Sequence, residues 1–193
     1  MPLRLPEAVR RVAQPVGAAV LNGRARLRRA RGRDFSNLSE EKVVRRILDG
    51  LELRSGFAVD IAACDGVTSS NARRLGDAGW AGLAVEGDAV KFASLARAYR
   101  HLPAVSLAGL WVTPENVVPL LQGNGAPREL EFLNLDVDGY DHYVLEALLH
   151  EFRPLLVCAE INGNIPPRLD VLEKVAFLDR RFEPYRGRYD IGL

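Results

Sequence analysis

A chain of 193 residues, 48% of them hydrophobic, is long enough to bury one sizeable core, so one domain is expected. A formal charge of +1 selects no class of partner. Two cysteines, Cys64 and Cys158, with no local spacing pattern argue against both a disulfide framework and a zinc cluster, and a reducing cytoplasm is the simplest compartment.

The mean charge hides an asymmetry. Residues 1–33 carry nine arginines against one acid, Glu7, which leaves 17 basic and 24 acidic groups for the remainder. Pro2, Pro6 and Pro15 interrupt any helix there, and residues 1–33 read as a basic leader to a domain over 34–193. A solvated arm and an electrostatic contact with an anionic membrane surface both fit this leader. No aromatic residue interleaves with its arginines, which argues against nucleic acid. Its longest apolar run, VGAAVL at 16–21, is about a third of the ~20 residues that span a bilayer. A soluble, cytoplasmic protein is expected.

Ser39 as N-cap, with Glu40 and Glu41 in the first turn, predicts a helix carrying Val43, Val44, Ile47 and Leu48 and stopping at Gly50. Strands and helices then alternate. FAVDIA (57–62) predicts a strand, and residues 69–80 a helix. GLAVEGD (82–88) is a second strand and 89–102 a helix. Residues 104–112 hold a third strand, and 114–122 a short helix opening on Pro114. Residues 130–138 are a fourth strand, 142–152 a helix, and 154–162 a fifth strand. Unbroken apolar strands alternating with helices predict an α/β fold. It is a Rossmann-like, doubly wound, mostly parallel sheet with helices on both faces. Ligands of such sheets bind beyond the carboxyl ends of the strands.

Polar residues collect at those ends. Asp60 and Asp65 flank the turn after the first strand, and Glu86 closes the second. Asp136, Asp138 and Asp141 follow the fourth, and Glu160 and Asn162 close the fifth. An acid closing the second strand suits the hydroxyls of a ribose. The opening turn offers Ala62, Ala63 and Gly66 in place of a glycine-rich loop. A pyrophosphate needs close backbone approach at a helix start, so this turn disfavours NAD or FAD and favours a phosphate-free nucleoside.

The stretches VDIAACDG, GLAVEGD, FLNLDVDGYDHYVLEALL and RPLLVCAEIN, in this order, resemble FkbM-type class I S-adenosylmethionine-dependent methyltransferases over about residues 55–167. The resemblance implies S-adenosylmethionine as cofactor. It implies that Asp60 and the turn Ala62–Gly66, with Asp65, hold the methionine part, that Glu86 takes the ribose hydroxyls, and that Asp136 faces the sulfonium. It places Asp138 and His142 beside an acceptor hydroxyl of a sugar, glycan or small metabolite, with His142 as candidate general base. Ala62 departs from the family by standing where its turn has a first glycine. The 26 residues after Pro167 also depart from it, and they supply at most one further strand where the full sheet has two, which suggests a shortened C-terminal region.

DVDGYD is not a calcium loop, because Tyr140, Asp141 and Ala147 fall where an EF-hand needs an oxygen ligand, a glycine and a glutamate. A divalent ion such as Mg²⁺ on Asp136, Asp138 or Glu160 is chemically compatible but not expected. Trp80 and Trp111 read as packing residues, and His101 and His150 receive no role. Two other classes stay open. One is a non-catalytic scaffold built on a truncated methyltransferase fold, and the other is a different Rossmann-type nucleotide enzyme.

Overall fold

The short apolar runs become strands because each is flanked by turn-forming residues, and the three central ones are covered on both faces. The structure, a computed structural model, describes residues 35–36, 40–137 and 139–159. The leader, Ser39, Asp138, Glu160, Asn162 and the C-terminal stretch therefore lie outside the described residues.

The elements run α1 (Glu40–Gly50), β1 (Phe57–Ile61), α2 (Arg73–Asp77), β2 (Ala81–Val85), α3 (Ala89–Tyr99), β3 (Val105–Ala108), α4 (Val117–Gly123), β4 (Phe132–Leu135), α5 (Asp141–Glu151) and β5 (Leu156–Ala159). The five strands form one sheet in the order β3-β2-β1-β4-β5. All four pairings are parallel. This is a Rossmann-like α/β sheet. The strand order reverses direction between β1 and β4, which is where such sheets open a ligand crevice.

Register decides how the crevice is built. Ile61 lies opposite Val85 and Leu135, Val85 opposite Ala108, and Leu135 opposite Ala159. All five strands thus end level, and the next residues, Ala62, Glu86, Gly109 and Asp136, form one rim.

Alternation along β1 sends Val59 and Ile61 to one face and Ala58 and Asp60 to the other. The first face packs with Leu133, Leu135, Val117, Leu121, Val144 and Leu148 beneath α4 and α5. Ala58 packs with Phe132 on α1 and α2 through Val44, Leu48, Leu75 and Trp80. Leu95 and Tyr99 of α3 pack on Ala63 and Ala84. Each fully buried leucine or phenylalanine contributes about 1.5–3 kcal/mol of transfer free energy. In the first turn of α1, the buried Glu41 carboxylate accepts the Phe35 N–H at 2.6 Å and pairs with Arg74, whose guanidinium lies 5.1 Å from the Phe35 ring centre.

Three helices are shorter than the sequence predicts, the one expected over 89–102 ending at Tyr99. The expected helix over 69–80 is reduced to Arg73–Asp77 because the residues before it bond their own backbone. Asp65 Oδ1 accepts the N–H groups of Val67 and Thr68, its Oδ2 accepts the Thr68 hydroxyl, and Ser69 is left-handed at φ 59°. Ser70 Oγ then accepts the Arg73 N–H at 3.0 Å, as a capping side chain does. The expected helix at 114–122 starts at Val117 instead. Pro114 lies in a turn closed by Asn116, which accepts from Thr113 N–H and donates to the Trp111 carbonyl. The first strand ends at Ile61 because Ala62 turns left-handed, at φ 64°.

Gly66 is the glycine that this turn requires. Its φ is +71°, and a Cβ there would stand 2.4 Å from both Leu95 and the Tyr99 ring. Replacing Gly66 by alanine is expected to cost about 2–4 kcal/mol, from overpacking plus the left-handed penalty. Ala62→Gly is expected to be neutral or to stabilise by up to about 1 kcal/mol. Urea unfolding of the two variants measures both effects.

Candidate functional site at the carboxyl rim of the sheet

The turn from Ala62 to Gly66 is fastened to β2. Ala63 N–H donates to the Val85 carbonyl, and Gly66 N–H to the Ala63 carbonyl. Glu86, 4% exposed, completes the clasp. Its Oε2 accepts the Cys64 N–H at 2.8 Å and its Oε1 accepts the Asp88 N–H at 2.7 Å. One carboxylate thus holds two βα turns together, and each of its oxygens keeps a lone pair for a further donor. Asp88 in turn caps α3 by accepting from Val90 and Lys91 N–H.

Ala62 keeps a left-handed backbone with a Cβ present, and Cys64 does the same at φ 54°. The turn therefore has a glycine-like path at Ala62 without a glycine, at a strain of order 1 kcal/mol per residue. Cys64 is half-buried, and burial pushes its thiol above its ordinary value.

The predicted residues separate by the direction in which their side chains point. Glu86 and Asp136 stand level on the rim on opposite sides of the β1 turn, Glu86 buried and Asp136 exposed. The Asp65 carboxylate turns back on its own loop, and Gly66 faces α3, so these two shape the turn from within. Asp60, 3% exposed, points into the α2–α3 layer, where Oδ1 accepts from Asn134 Nδ2 at 2.8 Å. His142 is exposed in the first turn of α5, edge-on to Tyr143 at 5.4 Å. Its predicted companion, Asp138, lies outside the described residues. Asp141 accepts from Val137 and Gly139 N–H and so fixes the loop that leaves β4.

Carboxylates crowd this rim. Burial raises the Asp60 carboxyl to about 6, and the negative charges of Asp136 and Glu86 add to the rise, while hydrogen bonds from Asn134 and Ser70 oppose it. Burial raises Asp141 as well, against the backbone N–H groups it accepts and with Asp136 adding to the rise. The rim is a region of negative potential that favours a cationic ligand. Among the described residues, no group of three His, Cys, Asp or Glu side chains is placed to hold a metal ion. No helix among them is long and apolar enough to cross a membrane.

Residues that the sequence reading did not single out connect the site to the layer beneath it. Asn71 donates to Asn134 Oδ1 at 3.0 Å, and Asn134 donates to Asp60. The lone polar residue in the apolar run FLNL was the available signal for Asn134. Of the tryptophans, Trp80 is buried in the core as expected. Trp111 is 45% exposed and lies against Gly87, where a Cβ would meet its ring at 2.3 Å.

No family model matches the chain, and no curated protein matches it. Among solved structures, the chain is similar to a candidate O-methyltransferase from Klebsiella pneumoniae, with TM-score 0.48 and 14% identity over 64% of this chain and 55% of that one. It is also similar to a candidate caffeoyl-CoA O-methyltransferase from Staphylococcus aureus, with TM-score 0.46 and 10% identity over 70% of this chain and 61% of that one. The chain thus spans 55% and 61% of the lengths of these two structures.

Two outcomes are expected here. The folded protein retains a proton on Asp60 up to about pH 6, whereas an ordinary aspartate loses it near 3.8, so this group's contribution to stability falls as pH rises between those values. The stability difference between the native chain and Asp60→Asn is therefore expected to change by up to about 3 kcal/mol from pH 4 to pH 7, with the variant gaining at the higher pH. Urea unfolding across that range measures it. Glu86→Gln leaves one of the two backbone N–H groups facing an amide nitrogen that cannot accept. The variant is expected to lose about 1–3 kcal/mol, which thermal or urea unfolding measures.

Proposed function

We propose that the chain is an S-adenosylmethionine-dependent methyltransferase of the FkbM type that methylates a hydroxyl of a sugar, glycan or small metabolite. One observation carries this reading. At the point where the strand order reverses, a buried glutamate closing β2 clasps a turn that follows a glycine path without the glycines that a pyrophosphate requires. A phosphate-free nucleoside with a cationic tail suits that turn and the negative rim beside it.

The donor set fits such a cofactor. Glu86 retains lone pairs for ribose hydroxyls, and the backbone of residues 62–66 offers the wall for the amino-acid part. Asp60 supports that wall from beneath. Asp136, exposed on the rim, provides the negative charge that a sulfonium favours. When bound, S-adenosylmethionine supplies an activated methyl group, so the protein's share of the work is largely positioning. In this reading a ring nitrogen of His142 takes the proton of the acceptor hydroxyl, and Asp138 orients that hydroxyl. A cytoplasmic location fits this cofactor.

Calorimetry with S-adenosylhomocysteine tests the reading. Binding is expected in the micromolar to submillimolar range. No heat at millimolar ligand, or thermal stabilisation by NAD in its place, overturns it. Asp136→Asn is the informative variant, because the side chain is exposed and its loss leaves the fold standing. It is expected to weaken S-adenosylmethionine more than S-adenosylhomocysteine, since only the former carries the sulfonium charge. Binding without turnover on a panel of glycans and metabolites would favour the non-catalytic scaffold.

A further inference from the structure

Trp111 is the largest side chain that the rim leaves in the open. It follows the last residue of β3 by three positions and is 45% exposed, whereas Trp80 is 3% exposed in the core. Tryptophan is highly buried on average, because its indole carries a large apolar surface. An indole held half in water therefore calls for an explanation.

The chain around Trp111 is built to present the ring. Asn116 Nδ2 donates to the Trp111 carbonyl at 2.8 Å, and Asn116 Oδ1 accepts the Thr113 N–H at 2.8 Å. The turn that carries the indole is thus closed from within. Gly87 backs the ring. A Cβ at Gly87 would stand nearest to indole Cδ2, with the flanking ring atoms Cε3 and Cγ farther away. A point beyond the ring's edge would be nearer to one or both of those flanking atoms, so Gly87 lies over a face of the indole. Only a residue without a Cβ admits that approach. The opposite face is left as the open side of the ring.

The position of this support matters. Gly87 directly follows Glu86, and the Glu86 N–H donates to the Ala108 carbonyl at 3.1 Å, so β2 and β3 stay paired up to the glutamate. The carboxylate that clasps the first two turns and the residue that backs the indole are therefore neighbours on the rim. Among the strands, β3 follows β2 on the side away from β1.

We propose that Trp111 binds the base of the nucleoside, its open face stacking on the adenine. The inference rests on the cofactor reading given above. In that reading the amino-acid part lies at the turn after β1 and the ribose at Glu86 after β2. The third part of the ligand then continues along the rim toward β3, where Trp111 stands. A flat, pre-positioned aromatic face needs no hydrogen bond to hold a base, and it loses little freedom when the base arrives.

Fluorescence and calorimetry on the full chain, with S-adenosylhomocysteine as probe, test the assignment. The ligand is expected to quench the emission of the exposed Trp111 and to leave that of the buried Trp80 unchanged. Trp111→Ala is expected to weaken binding by about fivefold to a hundredfold. Trp111 lies outside the three hydrophobic clusters of the core, so this variant keeps the fold. Trp111→Phe keeps a ring to stack on, and is expected to abolish the quenching while retaining most of the affinity. Binding without quenching in the native chain, or with the affinity unchanged in Trp111→Ala, overturns the role of Trp111 and leaves the cofactor reading standing. If the native chain binds neither S-adenosylhomocysteine nor NAD, both fall. If NAD alone binds and quenches Trp111, the cofactor reading falls and the base contact stands.

Discussion

The Glu86 carboxylate is the interaction on which the rim depends. The level ends of the strands bring the first two βα turns close, but closeness alone does not fix a loop. Glu86 does so by accepting one backbone N–H from each turn, at Cys64 and at Asp88. Charge-assisted bonds of this kind are short and roughly twice as strong as neutral ones, and burial shields them from competing water. The turn then passes its constraint onward. Gly66 accepts the Tyr99 ring, Tyr99 sits beneath Arg73, and Asp65 shapes the segment that leads to Ser70 and α2.

Most of the architecture was legible in the sequence because the central strands β1, β2 and β4 are buried on both faces and therefore read as nearly unbroken apolar runs. The order of helices and strands, and the acids beyond the strand ends, followed from that pattern. The boundaries were less legible where side chains compete with the backbone. The helix expected over 69–80 is shortened because Ser69, Ser70 and Asn71 favour turns and caps over a helix interior, and Asp65 and Ser70 draw the local N–H groups into turns. Pro114 suits a first helical turn in isolation, and the bonds of Asn116 override that preference.

The candidate site was legible by residue type and less so by direction. Asp60 and Asp65 stand where acids of a crevice belong, but strand alternation turns one into the layer below and the loop turns the other onto itself. Ala62 was the residue most exposed to error, since a Cβ at a glycine position is a reason to doubt the turn. Its φ of 64° is left-handed, a conformation that glycine adopts more readily than alanine. Asn71, Asn134 and Tyr99 depend on contacts between residues far apart in sequence, which no local pattern reports.

The strand order also governs how the chain must assemble. β1 is central, yet one of its two neighbours, β4, lies far along the chain: the Asp60–Asn134 hydrogen bond spans 74 residues. Loop-closure entropy must be overcome before that pairing yields any stability, which favours slow folding. At synthesis rates of about 5–20 residues per second, β1 waits roughly 4–15 seconds for β4 with that apolar edge open. A buried acid on that edge strand is hydrated while it waits. Its hydrogen bond from Asn134 can form only once β4 has joined the sheet.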